Sequence, residues 1–306
     1  MKILIISSNL IGDNILSSGV FRHYIENYPK SNFTFITGPT AYQLYEHFPN
    51  ITKRIKVRKE KYNFHWLKIF LNCLFVKWDI IIDFRSSLIS YFLIHKKKYI
   101  FKKNNELHHL DQLTDLFKYN CDNLKVFTDP IEDQEANEKL DSKYKYIVIS
   151  PGGNWIPKIW PVEKYNEIIK VINKEYDDIK FVLVGSSQEK KIYFNDVIKD
   201  IDQNLIIDLM GAKLTLTSAY MKKSNLFLGN DSGMMHLSVA SKLTTIGLFG
   251  PTNDKIYSPK GKNCFVVRTK EEYLHLRKSI DNFNMSYMNS INIADVMKVI
   301  RLNKLL

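Results

Sequence analysis

Residues 226–249 read LFLGNDSGMMHLSVASKLTTIGLF. A short apolar run, Leu226–Gly229, stops at a polar glycine turn, a helix begins at Ser232, and a second apolar run, Thr244–Phe249, follows. Strand, helix and strand in that order make a βαβ unit, which builds a parallel sheet.

The same alternation extends outward on both sides. Upstream lie a strand at Tyr144–Ser150 (YKYIVIS), a helix at 164–174, a strand at 180–184, a helix at 188–199, a strand at 205–208 and a helix at 216–224. At the amino terminus, KILIIS (2–7) reads as a strand, Gly12 ends its loop, and residues 13–28 have helix-like apolar spacing. Strands are also expected at 33–37, 51–57 and 79–83, with a helix at 40–48. Residues 104–143 are polar and charge-mixed, which places a domain boundary near residue 142. The chain is therefore read as an α/β protein of two Rossmann-like domains, 1–142 and 143–306, with the last helix packing back on the first domain. In open sheets of this kind ligands bind at the carboxyl ends of the strands, so two such domains are expected to face a central cleft.

Composition fits a folded chain of two domains. At 306 residues, 45% hydrophobic and 13% aromatic, with 12 Gly and 9 Pro, it has no sign of a long disordered arm. Three widely spaced cysteines without a CxxC pair suit a reducing compartment, and the cytoplasm is expected. The apolar start turns polar too soon for a signal peptide. Charges interrupt the greasy stretch 66–100, leaving no run of about 20 apolar residues to cross a bilayer.

The net charge of +12 is concentrated. Residues 53–103 hold fourteen Lys and Arg against Glu60, Asp79 and Asp83. Such a field suits an anionic partner, whether nucleic acid, lipid headgroup or phosphorylated glycan, but an ordinary solvated lysine-rich face has the same composition.

Four motifs sit where strands end. Gly12-Asp13 follows the first strand; Asp13 is either a helix cap or an acid held over the ligand site. Ser150-Pro-Gly152-Gly153-Asn154 followed by Lys158-Ile-Trp-Pro161 offers loop amides and an ammonium, which suit a diphosphate. In Asp231-Ser232-Gly233-Met-Met-His236, the acid can bind sugar hydroxyls and the helix-start amides a phosphate, while His236 either donates to that phosphate or packs structurally. Gly250-Pro-Thr252 ends another strand at the same rim. A GxGxxG after a strand and a GxxxxGK[ST] are both lacking, which removes the usual support for dinucleotide and triphosphate readings. Asp200-Ile-Asp202 reads as solvated surface, and His108-His109 with Asp111 lacks metal-ligand spacing, so no metal is assigned.

In order and spacing over nearly the whole chain, these motifs resemble the lipopolysaccharide heptosyltransferases, glycosyltransferase family 9. The resemblance implies a GT-B fold and an amino-terminal acceptor domain. It also implies a carboxyl-terminal domain for a nucleotide sugar, best matched to ADP-heptose, and inverting transfer without a metal or other cofactor. Carried over, Asp13 is similar to the catalytic base, and Lys158, Gly152, Gly153, Asn154, Asp231, Ser232, Gly233 and His236 to the donor and diphosphate site. The chain departs from the family pattern at Gly152-Gly153-Asn154, where Thr or Ser is common, and at Gly185-Ser186-Ser187, where an acid is usual. Gly185, Ser187 and Glu189 are then candidates for nucleotide contact, with Glu189 replacing the acid.

The expected partners are a nucleotide sugar and a lipid-linked glycan acceptor, with peripheral contact between residues 53–103 and the anionic inner membrane and no nucleic acid. The alternatives are a family member using another nucleotide sugar, a nucleotide-sugar epimerase of the same fold, and a non-catalytic anion- or nucleic-acid-binding protein.

Overall fold

The computed structural model describes residues 1–58 and 60–306; Lys59, one cation of the basic stretch, lies outside the described residues. The chain divides into two units, Met1–Phe127 and Thr128–Leu306.

The first unit carries five strands, β1 (Lys2–Ile6), β2 (Asn32–Thr37), β3 (Ile51–Lys56), β4 (Trp78–Asp83) and β5 (His95–Ile100). All pair in parallel, in the order β3-β2-β1-β4-β5. Its helices are α1 (Ile11–Leu16), α2 (Ser18–Asn27), α3 (Phe64–Cys73), α4 (Ile89–Phe92) and α5 (His109–Phe117). The helix expected over 13–28 is broken at Ser17, which closes α1 and opens α2. The one expected over 40–48 shrinks to a 3₁₀ turn, Ala41–Tyr45.

Right-handed crossovers put the connections of β1, β2 and β3 on one face of the sheet and those leading to β4 and β5 on the other. The packing follows that rule. One face carries an aromatic layer in which Phe35 lies 4.1 Å from Tyr45, 4.9 Å from Phe48 and 5.2 Å from Phe21, ring centre to centre. On the other face, Ile69 and Cys73 of α3 and Ile89 of α4 share one core with Leu4, Ile6, Ile36 and Ile81 of the strands.

The second unit begins with α6 (Pro130–Lys139) and carries β6 (Lys145–Ser150), β7 (Ile179–Gly185), β8 (Ile206–Met210), β9 (Leu226–Asn230), β10 (Thr244–Phe249) and β11 (Cys264–Arg268). Its sheet is parallel throughout, in the order β11-β10-β9-β6-β7-β8. The connecting helices are α7 (Val162–Glu175), α8 (Ser187–Val197), α9 (Leu214–Lys223), α10 (Gly233–Ala240), α11 (Asp254–Tyr257), α12 (Tyr273–Ser279) and α13 (Ile293–Leu302).

The division between units falls before α6, not near residue 142. Asp129 and Glu132 cap α6 reciprocally, and the helix docks on α9. There Thr215 donates to Glu132 at 2.7 Å, Tyr220 donates to Glu135 at 3.2 Å and Lys222 pairs with Asp133 at 3.0 Å. The last helix, expected to pack back on the first domain, buries Val296, Met297 and Ile300 in the core of the second unit.

Candidate active site

In each sheet the chain reverses its direction of travel between the first strand and a neighbour. That gap, between β1 and β4 in one unit and between β6 and β9 in the other, is where open α/β sheets bind ligands. The residues singled out from the sequence lie largely at the carboxyl ends of these strands.

In the first unit the loop after β1 is held by Asn14, which is 1% exposed. Its amide oxygen accepts hydroxyls from Ser7 and Tyr45, both at 2.6 Å, and its amide nitrogen donates to the carbonyls of Ser8 (2.8 Å) and Leu10 (2.6 Å). Asp13 does not cap the helix: the N-cap is Leu10, which makes no side-chain cap bond, and Asp13 stands in the first turn of α1. Its carboxylate accepts a 2.8 Å hydrogen bond from the Ser8 hydroxyl. Burial pushes the Asp13 carboxyl above the ordinary carboxylate range, while the Ser8 bond and the positive charge of Lys103 pull it back in part. The result is a carboxylate more basic than a solvated one.

In the second unit the corresponding organiser is Asn230, fully buried at the end of β9. It donates to the carbonyls of Pro151 and Gly152, each at 3.0 Å, and accepts the Trp160 amide at 2.9 Å. One side chain thus ties together the glycine loop, the Lys158–Trp160 segment and the Asp231 turn. Residues 286–291 brace the same segment: Tyr287 donates its amide to Pro157 at 3.0 Å, Ser286 its hydroxyl to Ile159 at 2.6 Å, and the Trp160 indole donates to Ile291 at 3.0 Å.

The Lys158 ammonium so placed lies 3.6 Å from the Asp231 carboxylate, with 12% and 9% of the two side chains exposed. Beside Asp231, Ser232 starts α10 in an extended conformation and supplies no side-chain cap, which leaves the first-turn amides of that helix without one. The buried hydroxyls of Ser232 and of Thr252, beyond β10, have no hydrogen-bond partner among the described residues, a pattern expected where a ligand completes the polar set. His236 is buried within α10, with 4% exposed. Asn154 is exposed, and a Cβ on Gly153 would meet the Ile159 side chain at 3.4 Å.

The two departures from the family pattern meet at one spot. A Cβ on Gly152 would stand 2.2 Å from Oε1 of Glu189, and one on Gly185 would stand 3.1 Å from Oε2. The Glu189 carboxylate therefore occupies the space that a side chain at 152 would need. Its Oε2 accepts the Ser186 amide at 2.6 Å, in a capping box that starts α8. Ser187 leans on Gly211, whose φ of +92° suits glycine and whose Cβ would be 2.6 Å from the Ser187 hydroxyl oxygen. Gly185, Ser187 and Glu189 thus form one rim at the ends of β7 and β8.

The motifs set aside in the sequence have structural roles. Asp200 pairs with Lys170 at 3.8 Å, and Asp202 accepts the Asn204 amide of a 3₁₀ turn. His108 caps α5, accepting the Leu110 amide, and His109 packs 5.0 Å from the Phe101 ring. Among the described residues no group of three or more His, Cys, Asp or Glu is placed to hold a metal ion. None of their helices is long and apolar enough to cross a membrane.

The family model of glycosyltransferase family 9 (heptosyltransferase) matches residues 75–285. The chain belongs to glycosyltransferase family 9. This enzyme is 26% identical over 275 residues to a lipooligosaccharide heptosyltransferase 2 of Campylobacter jejuni subsp. jejuni serotype O:2, covering 85% of this chain and 84% of the relative. Its fold matches a solved family 9 glycosyltransferase of Veillonella parvula with a TM-score of 0.80 at 21% identity, over 99% and 96% of the two chains. It also matches the ADP-heptose lps heptosyltransferase II of E. coli with a TM-score of 0.75 at 19% identity, over 100% and 98%. The fold is that of the GT-B glycosyltransferases, as the sequence led us to expect. The family assignment sets aside the readings as an epimerase and as a non-catalytic anion-binding protein.

The sequence reading missed Asn14 and Asn230. A buried asparagine in a polar run looks like any loop residue, and no spacing rule marks one that bonds across 70 residues or more, as Asn230 does to Trp160 and the glycine loop.

Proposed function

We propose that this glycosyltransferase moves a heptose from ADP-heptose onto a lipopolysaccharide or lipooligosaccharide core acceptor, with inversion at the anomeric carbon and without a metal ion or other cofactor. The observation that carries this reading is the Lys158–Asp231 pair, nearly buried beside the uncapped start of α10. A cation held in place with helix-start amides answers the charge that gathers on a departing diphosphate. The names of the Campylobacter and E. coli relatives supply the sugar and the acceptor class.

In this mechanism Asp13 accepts the proton of an acceptor hydroxyl as that oxygen attacks the anomeric carbon. Its raised basicity suits a general base, a role typically worth about 10²–10⁴-fold in rate. Lys158, the α10 amides and the loop at Gly152, Gly153 and Asn154 stabilise the leaving diphosphate. Asp231 and Ser232 contact the donor sugar and phosphate, and His236 supports the same helix. The rim of Gly185, Ser187 and Glu189 reads the nucleotide. The basic stretch 53–103 meets a lipid-linked acceptor at the cytoplasmic face of the inner membrane, by attraction between its lysines and anionic lipid.

Calorimetric binding of ADP, UDP, GDP and ADP-heptose to the wild type and to Lys158→Ala tests the donor. ADP-selective binding that is lost in the variant is the expected result. Selectivity for UDP or GDP would replace the sugar nucleotide while keeping the family mechanism, and equal binding by the variant would remove Lys158 from the diphosphate site.

A further inference from the structure

We propose that the outer faces of α3 and α4 are a membrane-docking surface, through which the first unit inserts apolar side chains into the interface of an anionic bilayer. The inference deepens the reading of the acceptor as lipid-linked and rests on it. α3 is apolar on both sides. Trp66, Ile69, Phe70 and Cys73 pack into the core against the sheet. On the opposite side Phe64, Leu67 and Leu71 are 54%, 52% and 55% exposed, and Phe75, just beyond the helix, is 90% exposed. Their spacing of three to four residues makes a single stripe.

α4 repeats the arrangement on the same face of the sheet, with Ile89 inward and Leu88, Tyr91 and Phe92 exposed by 76%, 55% and 69%. Scattered apolar residues are ordinary on a surface. Here nine of the twenty large exposed hydrophobics among the described residues fall between positions 62 and 94, on α3, on α4 and on the residues flanking them. An exposed apolar concentration of that kind marks an interaction site.

The charges around this apolar surface select the occupant. Lys98 lies 3.8 Å above the Tyr91 ring and Lys61 5.3 Å from the Tyr62 ring, so ammonium groups line the same aromatic side chains. The three acids of the region are already engaged: Asp83 is buried and takes the Ser87 hydroxyl, Asp79 pairs with Lys96, and Glu60 pairs with Lys68. The excess is positive. A second copy of the chain would set one basic rim against another, and a nucleic acid has no use for leucine and phenylalanine at this density. An anionic bilayer interface takes both, with the aromatic and leucine side chains in the headgroup–acyl boundary and the lysines reaching phosphate.

Co-sedimentation of the full chain with phosphatidylethanolamine–phosphatidylglycerol vesicles, and with phosphatidylcholine vesicles, tests this, with ADP binding measured by calorimetry on the same samples. The wild type is expected to pellet with the anionic vesicles, less so at about 0.5 M than at about 0.1 M salt. The triple variant Leu67→Glu, Leu71→Glu, Phe75→Glu is expected to partition at least about tenfold more weakly while binding ADP as the wild type does. Equal partitioning of variant and wild type, or a wild type that stays in the supernatant, would overturn the docking surface, while retained ADP binding would leave the proposed function standing. A wild type that doubles its mass in light scattering without binding vesicles, alongside a monomeric variant, would overturn it too and assign the apolar surface to a second copy.

Discussion

Asn14 and Asn230 do the same job in different units, and the charged groups beside them differ. Each is a buried amide beside the gap in its sheet, Asn14 in the first helix after β1 and Asn230 at the end of β9, and each ties a loop into one shape. Next to Asn14 stands a carboxylate whose hydrogen-bond donor is a neutral hydroxyl, Ser8. Next to Asn230 stands a carboxylate with a lysine ammonium 3.6 Å away. A partly desolvated acid with a neutral donor becomes basic and suits proton transfer. An acid and an ammonium held together make a preorganised charge site, the one proposed here to meet the donor diphosphate. In the proposed mechanism, similar scaffolds serve two chemistries through the partner of one acid.

The largest expected effect breaks the first half of this comparison. Asp13→Asn should lower kcat by about 10²–10⁴-fold while leaving ADP binding as it is, measured by turnover and calorimetry. The same variant should melt no lower than the wild type near neutral pH. The raised carboxyl pKa means that the native state holds its proton more tightly than the unfolded chain, so this group's contribution to stability falls as pH rises from the ordinary carboxylate range through the raised value. At neutral pH the ionised Asp13 is a cost, and asparagine removes it. In the wild type, activity should fall as pH drops through that raised value, because the base must be ionised.

Lys158→Ala probes the second half. Loss of a charge-assisted contact should weaken ADP binding by roughly 10–100-fold. Leaving the nearly buried Asp231 carboxylate unpaired should cost about 3 kcal/mol of stability. Adding Asp231→Asn should return most of that stability in chemical denaturation without restoring ADP binding. A double variant that regained both would make the pair a structural feature.

Asn230→Ala and Asn14→Ala sharpen the comparison. Each strands buried partners and should cost about 2–3 kcal/mol in urea unfolding. Asn230→Ala should chiefly weaken nucleotide binding, and Asn14→Ala should chiefly lower kcat, since each loop carries a different group. The smallest effect concerns His109, a buried imidazole pushed down to about 4 by burial and by the charges of His108 and Lys103. Because the native state releases its proton more readily than the unfolded chain, stability should fall as pH drops from about 6.5 toward 4, and His109→Gln should flatten that part of a melting-temperature profile.

Pattern alone placed the central strands. KILII, YIVIS and LFLGN are apolar runs closed by turns, and buried parallel strands require that composition. The two edge strands on the far sides, His95–Ile100 and Cys264–Arg268, escaped notice. The first is HKKKYI, and an edge strand bears lysines because one of its sides meets water instead of another strand. α3 escaped for another reason: with apolar residues on both its buried and its exposed side, the run reads as continuously greasy rather than as one helix face, and the same property makes it a candidate docking surface.

The sequence by itself determined the α/β architecture and the order of the glycine loops, because strand periodicity and turn chemistry are local; Asp13, Lys158 and Asp231 stood out only through their places at strand ends together with the family resemblance. Tertiary structure alone decided which of those residues meet. The Lys158–Asp231 pair joins positions 73 residues apart, Glu189 fills the space that Gly152 leaves, and Asn14 and Asn230 organise their loops. Such contacts depend on which strands lie side by side, and strand order arises from the packing of the whole sheet, which a one-dimensional pattern does not encode.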